Sequence, residues 1–204
     1  YTGQSITGFN VGPNVADITN LRIEGNTFSN VRTLVTDGYA QQPSLRITGL
    51  KINNNIFYNS LFQEGVVNDF ESDYNLFYNP GNDIIVWNGG WYGDLATFKA
   101  QNPTAQQHSL QVDPKLSNPA GFDFRLTATS SAIDRGMTIP ELSPDLTGNL
   151  RPQDGPDADT IAQFDIGAYE YPSGGTPPCS ENWSCTAWSA CTGDTQTRTC
   201  TDSN

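Results

Sequence analysis

The chain has 204 residues, with 22 acidic side chains against 10 basic ones and a formal net charge of -12. That balance argues against nucleic acid or anionic membrane as a partner, because both would repel an acidic surface. No apolar run approaches the roughly 18 residues of a bilayer span, and the wealth of Gly, Asn, Thr, Ser and Asp over helix formers points to an all-β chain of short strands.

The chain opens at YTGQSITG, with neither an initiator Met nor a charged-then-apolar leader, which reads as a piece of a longer secreted protein. Three segments then share one frame: LRIEGNTFSN (21–30), LKINNNIFYN (50–59) and FESDYNLFYN (70–79). Corresponding residues lie 29 and then 20 positions apart, which puts the extra length in a loop near DGYAQQPS (37–44). A repeat of this length predicts a right-handed parallel β-helix, a solenoid whose coils stack at about 4.8 Å. Stacking would align Leu21, Leu50 and Phe70, then Ile23 and Ile52, and would stack Phe28, Phe57 and Phe77 inside. Asn26, Asn55 and Asn75 form one amide column, and Asn30, Asn59 and Asn79 another. Both suit turns, since Asn tolerates left-handed backbone and stacked amides bond to one another. An Asn-rich low-complexity tract is the bland alternative, and the phase-locked Phe and Leu columns count against it.

The frame fades after VWNGGWYGD (86–94), where Trp87, Trp91 and Tyr92 sit among glycines in a loop. These rings either stack on a sugar or a neighbouring protein, or cover the last coil. A short helix is expected over 94–103 with Asp94 near its N-cap. Phe122, Phe124 and Leu126 alternate as a strand does, and so do Phe164, Ile166 and Ala168. Arg125, Arg135 and Arg151 read as partners of Asp123, Asp134, Asp145 or Asp165. His108, with Ser109 and Asp113 nearby, lacks a nucleophile elbow and reads as part of a turn. DGPDADT (154–160) lacks the order of an EF-hand loop and reads as a solvated turn.

The succession VDPKL, DFRL, SSAIDRG, GNLRPQDG and DIGAYEY resembles the C-terminal end of secreted β-helix proteins of the pectate-lyase-like superfamily. The resemblance implies coils over 1–93 and a tail over 94–172 that covers their open end. It also implies that any polysaccharide chemistry lies on the outer face of one sheet. There the outward residues are Arg22, Lys51 and Glu71 in one column and Glu24, Asn53 and Asp73 in the next, with Asp69 on the same strand. Asp69, Glu71 and Asp73 would suit a hard cation such as Ca²⁺, with Lys51 or Arg22 handling a proton at the sugar. The structural reading, an ion pair between Lys51 and Glu71 across adjacent coils, is the favoured one.

SGGTPP (173–178) is a linker. Beyond it, over 179–204, WSACTGDTQTRTC resembles part of a thrombospondin type 1 repeat through Trp188, Ser189, Cys191, Gly193, Arg198 and Cys200. The resemblance implies Trp stacked on Arg, with Trp183, Trp188 and Arg198 as candidates. Cys179, Cys185, Cys191 and Cys200 are expected to form disulfides, with three pairings open, and their spacing fits zinc poorly. Asn182-Trp183-Ser184 is a glycosylation sequon. Two functions are therefore expected: an extracellular structural or adhesive protein binding polysaccharide, surface proteins or copies of itself in a filament, or a secreted polysaccharide lyase or hydrolase.

Overall fold

The fold is a computed structural model that describes residues 18–35, 47–64, 69–156, 161–172, 183–191, 193 and 195–202. Its regular elements among the described residues are mostly strands, with one short α-helix and two single-turn 3-10 helices. The chain divides into two units, Tyr1–Ser173 and Gly174–Asn204.

The repeated frames pair in parallel and in register. β1 (Ile18–Thr19) and β2 (Arg22–Glu24) both pair with β5 (Ile47–Asn53), and β5 pairs with β8 (Asp69–Asp73), forming a first sheet. β3 (Thr27–Ser29), β6 (Ile56–Tyr58), β9 (Leu76–Tyr78) and β12 (Leu110–Gln111) form a second. β4 (Arg32–Val35), β7 (Leu61–Glu64) and β10 (Ile85–Trp87) form a third, which β11 (Gly90–Tyr92) extends antiparallel. The chain thus visits the three sheets in the same order three times.

The corner between first and second sheets explains the asparagines. Gly25, Asn54 and Tyr74 occupy the left-handed region, with φ of 64°, 56° and 54°, so the turn residue is the one before the amide column. Asn26, Asn55 and Asn75 are instead a ladder. Asn55 Oδ1 accepts from the backbone N–H of Asn26 at 3.0 Å and from its side chain at 3.1 Å, and Asn75 Oδ1 serves Asn55 identically. In the other column only Asn30 and Asn59 are left-handed. The ladder ends where Ser109 Oγ accepts from Asn75 N and Gln106 Oε1 from Asn75 Nδ2.

One apolar core draws on all three sheets: Ile23, Leu50 and Ile52 from the first, Phe57 and Phe77 from the second, Phe62, Ile85 and Trp87 from the third. Phe28, Phe57 and Phe77 stack at centroid distances of 5.2 and 5.1 Å. Helix α1 (Leu95–Gln101) adds Leu95 and Phe98 to this core, with Phe98 edge-on to Trp87 and Tyr92. Asp94 caps it as expected, accepting from Thr97 N at 2.7 Å.

Residues 94–111 supply the helix and a further strand of the second sheet, and segments around Leu116, Leu126, Ala132 and Ile166 pack on the outside of that sheet. A second apolar cluster joins Ile56 and Leu76, which alternation turns away from Phe57 and Phe77, to Leu116, Leu126, Ala132 and Ile166. β13 (Leu116–Asn118) and β14 (Asp123–Leu126) form a small antiparallel ribbon there. Asn54 clasps the tail: its Nδ2 donates to Met137 O at 2.8 Å, its Oδ1 accepts from Met137 N, and its carbonyl accepts from Gly167 N. Gly167 is required at that crossing, because a Cβ would meet Ile56 Cδ1 at 2.7 Å. The tail therefore lies along the second sheet as well as following the last strands, because its own apolar strip matches Ile56 and Leu76.

In the second unit β15 (Trp183–Cys185) pairs antiparallel with β16 (Cys200–Asp202), and Cys185 is bonded to Cys200. Cys191 is exposed and unbridged among the described residues, and Cys179, the partner that a second bridge would need, lies outside them. Arg198 lies over the Trp188 ring, 4.7 Å from its centroid. The Trp183 side chain and the sequon's Asn182 are outside the described residues.

Candidate functional site

The outer face of the first sheet holds the polysaccharide-site candidates, and the register aligns Arg22, Lys51 and Glu71 in one row and Glu24, Asn53 and Asp73 in the next. Of the acidic residues there, Glu71 and Asp73 turn to different partners. Glu71 accepts from Lys51 Nζ at 3.0 Å and from Asn53 Nδ2 at 2.8 Å. Asp73 turns to the following segment, accepting from the backbone N–H of His108 at 2.7 Å, with its other oxygen 2.7 Å from His108 Nδ1. The Asp69 side chain lies outside the described residues. Among the described residues no three His, Cys, Asp or Glu side chains are arranged to hold a metal ion.

The same face is partly covered. Pro140–Leu142 of the tail lies beside it, with Glu141 3.5 Å from Arg22 and Leu142 against Gly25. Glu24 and Asn53 point outward yet are buried. What remains open is Arg22, which is paired with Glu24, the neutralised pair Lys51–Glu71 and the imidazole of His108, stacked on Tyr74 at 4.6 Å. Sequence reasoning left His108 in a turn; its link to Asp73 spans 35 residues and has no local signature.

The aromatic segment is a hairpin rather than a loop. Asn88 and Gly89 both have positive φ, the requirement of a two-residue primed turn, and Asn-Gly between apolar residues was the legible signal. Alternation then sorts the three rings. Trp87 is only 5% exposed and packs edge-on against Phe70 and Phe98, so its assignment as a binding residue is corrected to core. Tyr92 also faces the core and its hydroxyl donates to Gln101. Trp91, paired with Val86, faces outward and is 58% exposed.

Trp91 is nonetheless held. Arg32 lies over its ring at 5.5 Å, and Gln63 Oε1 fixes that guanidinium by accepting from Arg32 Nε at 2.6 Å. A pairing of this kind contributes about 0.5–1 kcal/mol at an exposed position. The three residues come from three strands of one sheet, so an aromatic face with polar groups beside it is preorganised on a rigid support. The repeat frame covers only Asn30 and Asn59 near these positions, which is why Arg32 and Gln63 escaped it.

The tail's charged residues form a buried knot with a structural role. Arg125 pairs with Asp123 at 2.7 Å as expected. Arg151 instead donates to the carbonyls of Asp165 and Gly167 and lies 3.6 Å from Glu170, and Arg135 donates to the Asp134 carbonyl. Asp134, Asp145 and Glu170 accept mainly from backbone N–H groups of the tail itself. Burial, with the Glu170 carboxylate beside it, pushes the Asp165 carboxyl up to about 8, and burial also raises Glu170. Gly155 belongs to this knot, whereas residues 157–160 of the acidic run lie outside the described residues. Ser109, buried as the ladder's terminator, and Asp113, bound to Lys115, form no triad with His108.

Comparison with protein-family models, curated proteins and solved structures finds no match. No helix among the described residues is long and apolar enough to cross a membrane.

Proposed function

We propose that the chain is an extracellular structural and adhesive protein, in which a right-handed parallel β-helix acts as a rigid support and Trp91 is a glycan-contacting platform. Supporting the β-helix are the fixed order in which the chain visits three parallel sheets and the in-register Phe and Asn columns. The observation that carries adhesion is an exposed Trp91 braced by Arg32 and Gln63, since a large ring held in place but left open stacks on a sugar at little entropic cost. The thrombospondin-like unit, with its Cys185–Cys200 bond, fits an interaction module outside the cytoplasm.

The test is retention on a panel of insoluble polysaccharides, followed by titration of the soluble oligomers with tryptophan fluorescence. Trp91→Ala should weaken binding about tenfold or more, in line with a lost stacking contact, while the melting temperature stays near that of the parent. Equal retention of parent and variant on every matrix would remove the platform.

The Asp73–His108 pair favours a second reading, polysaccharide cleavage, because a carboxylate on one ring nitrogen orients the other toward solvent as a base. It predicts unsaturated products or new reducing ends that vanish in His108→Ala. No product from any uronate or neutral polymer would eliminate it.

A further inference from the structure

A trough of about 610 Å³ opens where the turn 79–83 faces the end of β12, lined by Tyr78, Asn79, Asn82, Asp83, Gln111 and Asp113. Its volume is within the range of ligand sites, roughly 300–1,000 Å³. Its walls are fixed. Gln111 bridges two strands' connections, donating to Gly93 O at 2.8 Å and accepting from Leu95 N at 2.8 Å. Asn79 donates to Asp83 O at 2.8 Å and Asn82 to Pro80 O, so the turn is tied to itself. These bonds use the side-chain NH2 groups as donors to backbone carbonyls and leave the Asn79 and Asn82 side-chain carbonyls without a donor among the described residues. Asp83 makes no ion pair among the described residues, while Asp113 is matched by Lys115 at 3.1 Å.

We propose that this trough binds a neutral, hydroxyl-rich oligosaccharide. Amide carbonyls and a free carboxylate accept from sugar hydroxyls, and the bonds to the carboxylate are roughly twice as strong as neutral ones. Tyr78 offers an apolar edge for ring C–H groups, its opposite side being stacked on Tyr58. The charge excludes the acidic polymers that the superfamily resemblance brings to mind. Asp83 is uncompensated, Lys115 is spent on Asp113, and the whole chain carries -12, so a polyuronate meets repulsion at the site and at long range.

This deepens the adhesive reading by naming a glycan class and a second contact region, and the two fail separately. Gly93 borders the trough with backbone outside the left-handed region; a Cβ there would lie 3.5 Å from Asp83 Oδ1, an ordinary contact. Gly93→Leu therefore fills the trough without removing a hydrogen bond, and Asp83→Asn removes the charge while keeping the shape. The experiment is calorimetric titration of the full chain with neutral β-glucan, β-mannan and β-xylan hexasaccharides and with a hexagalacturonate. At least one neutral hexasaccharide should bind, with affinity lowered tenfold or more in Gly93→Leu and about three- to tenfold in Asp83→Asn, and by the same factors when each change is made in a Trp91→Ala background. Unchanged affinity in both trough variants, loss in Trp91→Ala alone, tighter binding of the uronate, or no binding by any neutral hexasaccharide at millimolar concentration would each overturn the proposal. If Gly93→Leu shows altered circular dichroism, Asp83→Asn decides.

Discussion

An amide at the inner corner of each pass has a task that few side chains can perform. Asn55 lies on a buried edge where backbone N–H and C=O groups cannot reach water, and it satisfies both kinds at once: Oδ1 accepts from Asn26 N, and Nδ2 donates to Ile23 O. Aspartate would supply only acceptors and leucine neither, so the requirement is for the amide rather than for polarity. Asn55→Ala leaves the Asn26 N–H and the Ile23 carbonyl without their partner in a dry interior, which costs about 2–4 kcal/mol. Urea unfolding should show a lower midpoint with an unchanged m-value; a midpoint within experimental error of the parent would show that water replaces the amide. Asn54, one residue earlier, is constrained differently. Its φ of 56° is one that glycine meets equally well, so Asn54→Gly keeps the turn and loses only the two bonds to Met137, and should cost about 1–2 kcal/mol. Amide exchange should then quicken at Met137 and Gly167 before it quickens in the ladder.

At the scale of elements, the sheets were legible and the way the tail packs was not. A repeat of Ile, Phe and Asn at fixed offsets states which residues pair, because parallel register stacks like on like, and Ile23 on Ile52 or Phe57 on Phe77 follows directly. The tail contains no repeat. Its course over the second sheet depends on Ile56 and Leu76 being apolar on the outward side, a feature visible in IFY and LFY only once those strands are known to be covered on both faces. The same blindness applied to Trp87: alternation from Ile85 would have turned it inward, had Asn88-Gly89 been taken as a hairpin turn. Helix α1 shows how a seven-residue element persists despite a costly nucleus: it is held by Phe98, fully buried against Trp87 and Tyr92, and by the Asp94 cap. Phe98→Ala should cost about 3–5 kcal/mol and Asp94→Ala clearly less, the loss of one exposed cap. Thermal unfolding followed by circular dichroism would rank them; a larger loss from the cap than from the ring would mean that α1 is sustained by local bonds instead of packing.

Across the whole first unit, the tail gathers its charge in one buried place while the rest of the acidic surface stays in water. This arrangement makes stability depend on pH in a way that surface charge alone would not. Asp165 titrates at about 8 in the fold, against roughly 3.9 for an unfolded aspartate, and Glu170 is raised in the same direction. Between these values the folded chain keeps a proton that the unfolded chain has released, so unfolding liberates protons and stability falls as pH rises from about 4 to about 8. Asp145 runs the other way: burial raises it, but the N–H groups of Glu170 and Asn149 and the Asn149 side chain outweigh that, and its carboxyl is lowered. Its contribution is complete above about pH 4 and disappears in acid, together with those of Asp113 and Asp123, whose carboxyls are also lowered. The melting temperature should therefore climb from pH 2 to a maximum near pH 4–5 and decline toward pH 8, a decline to which growing repulsion within a chain of net charge -12 adds. Asp165→Asn separates the two causes. It surrenders an acceptor for either Asp134 N or Tyr171 N and so lowers the melting temperature at every pH, but it removes the titration, and the slope between pH 5 and 8 should flatten. A parent protein whose melting temperature rises steadily through pH 7, or a variant with the parent's slope, would place the Asp165 proton elsewhere.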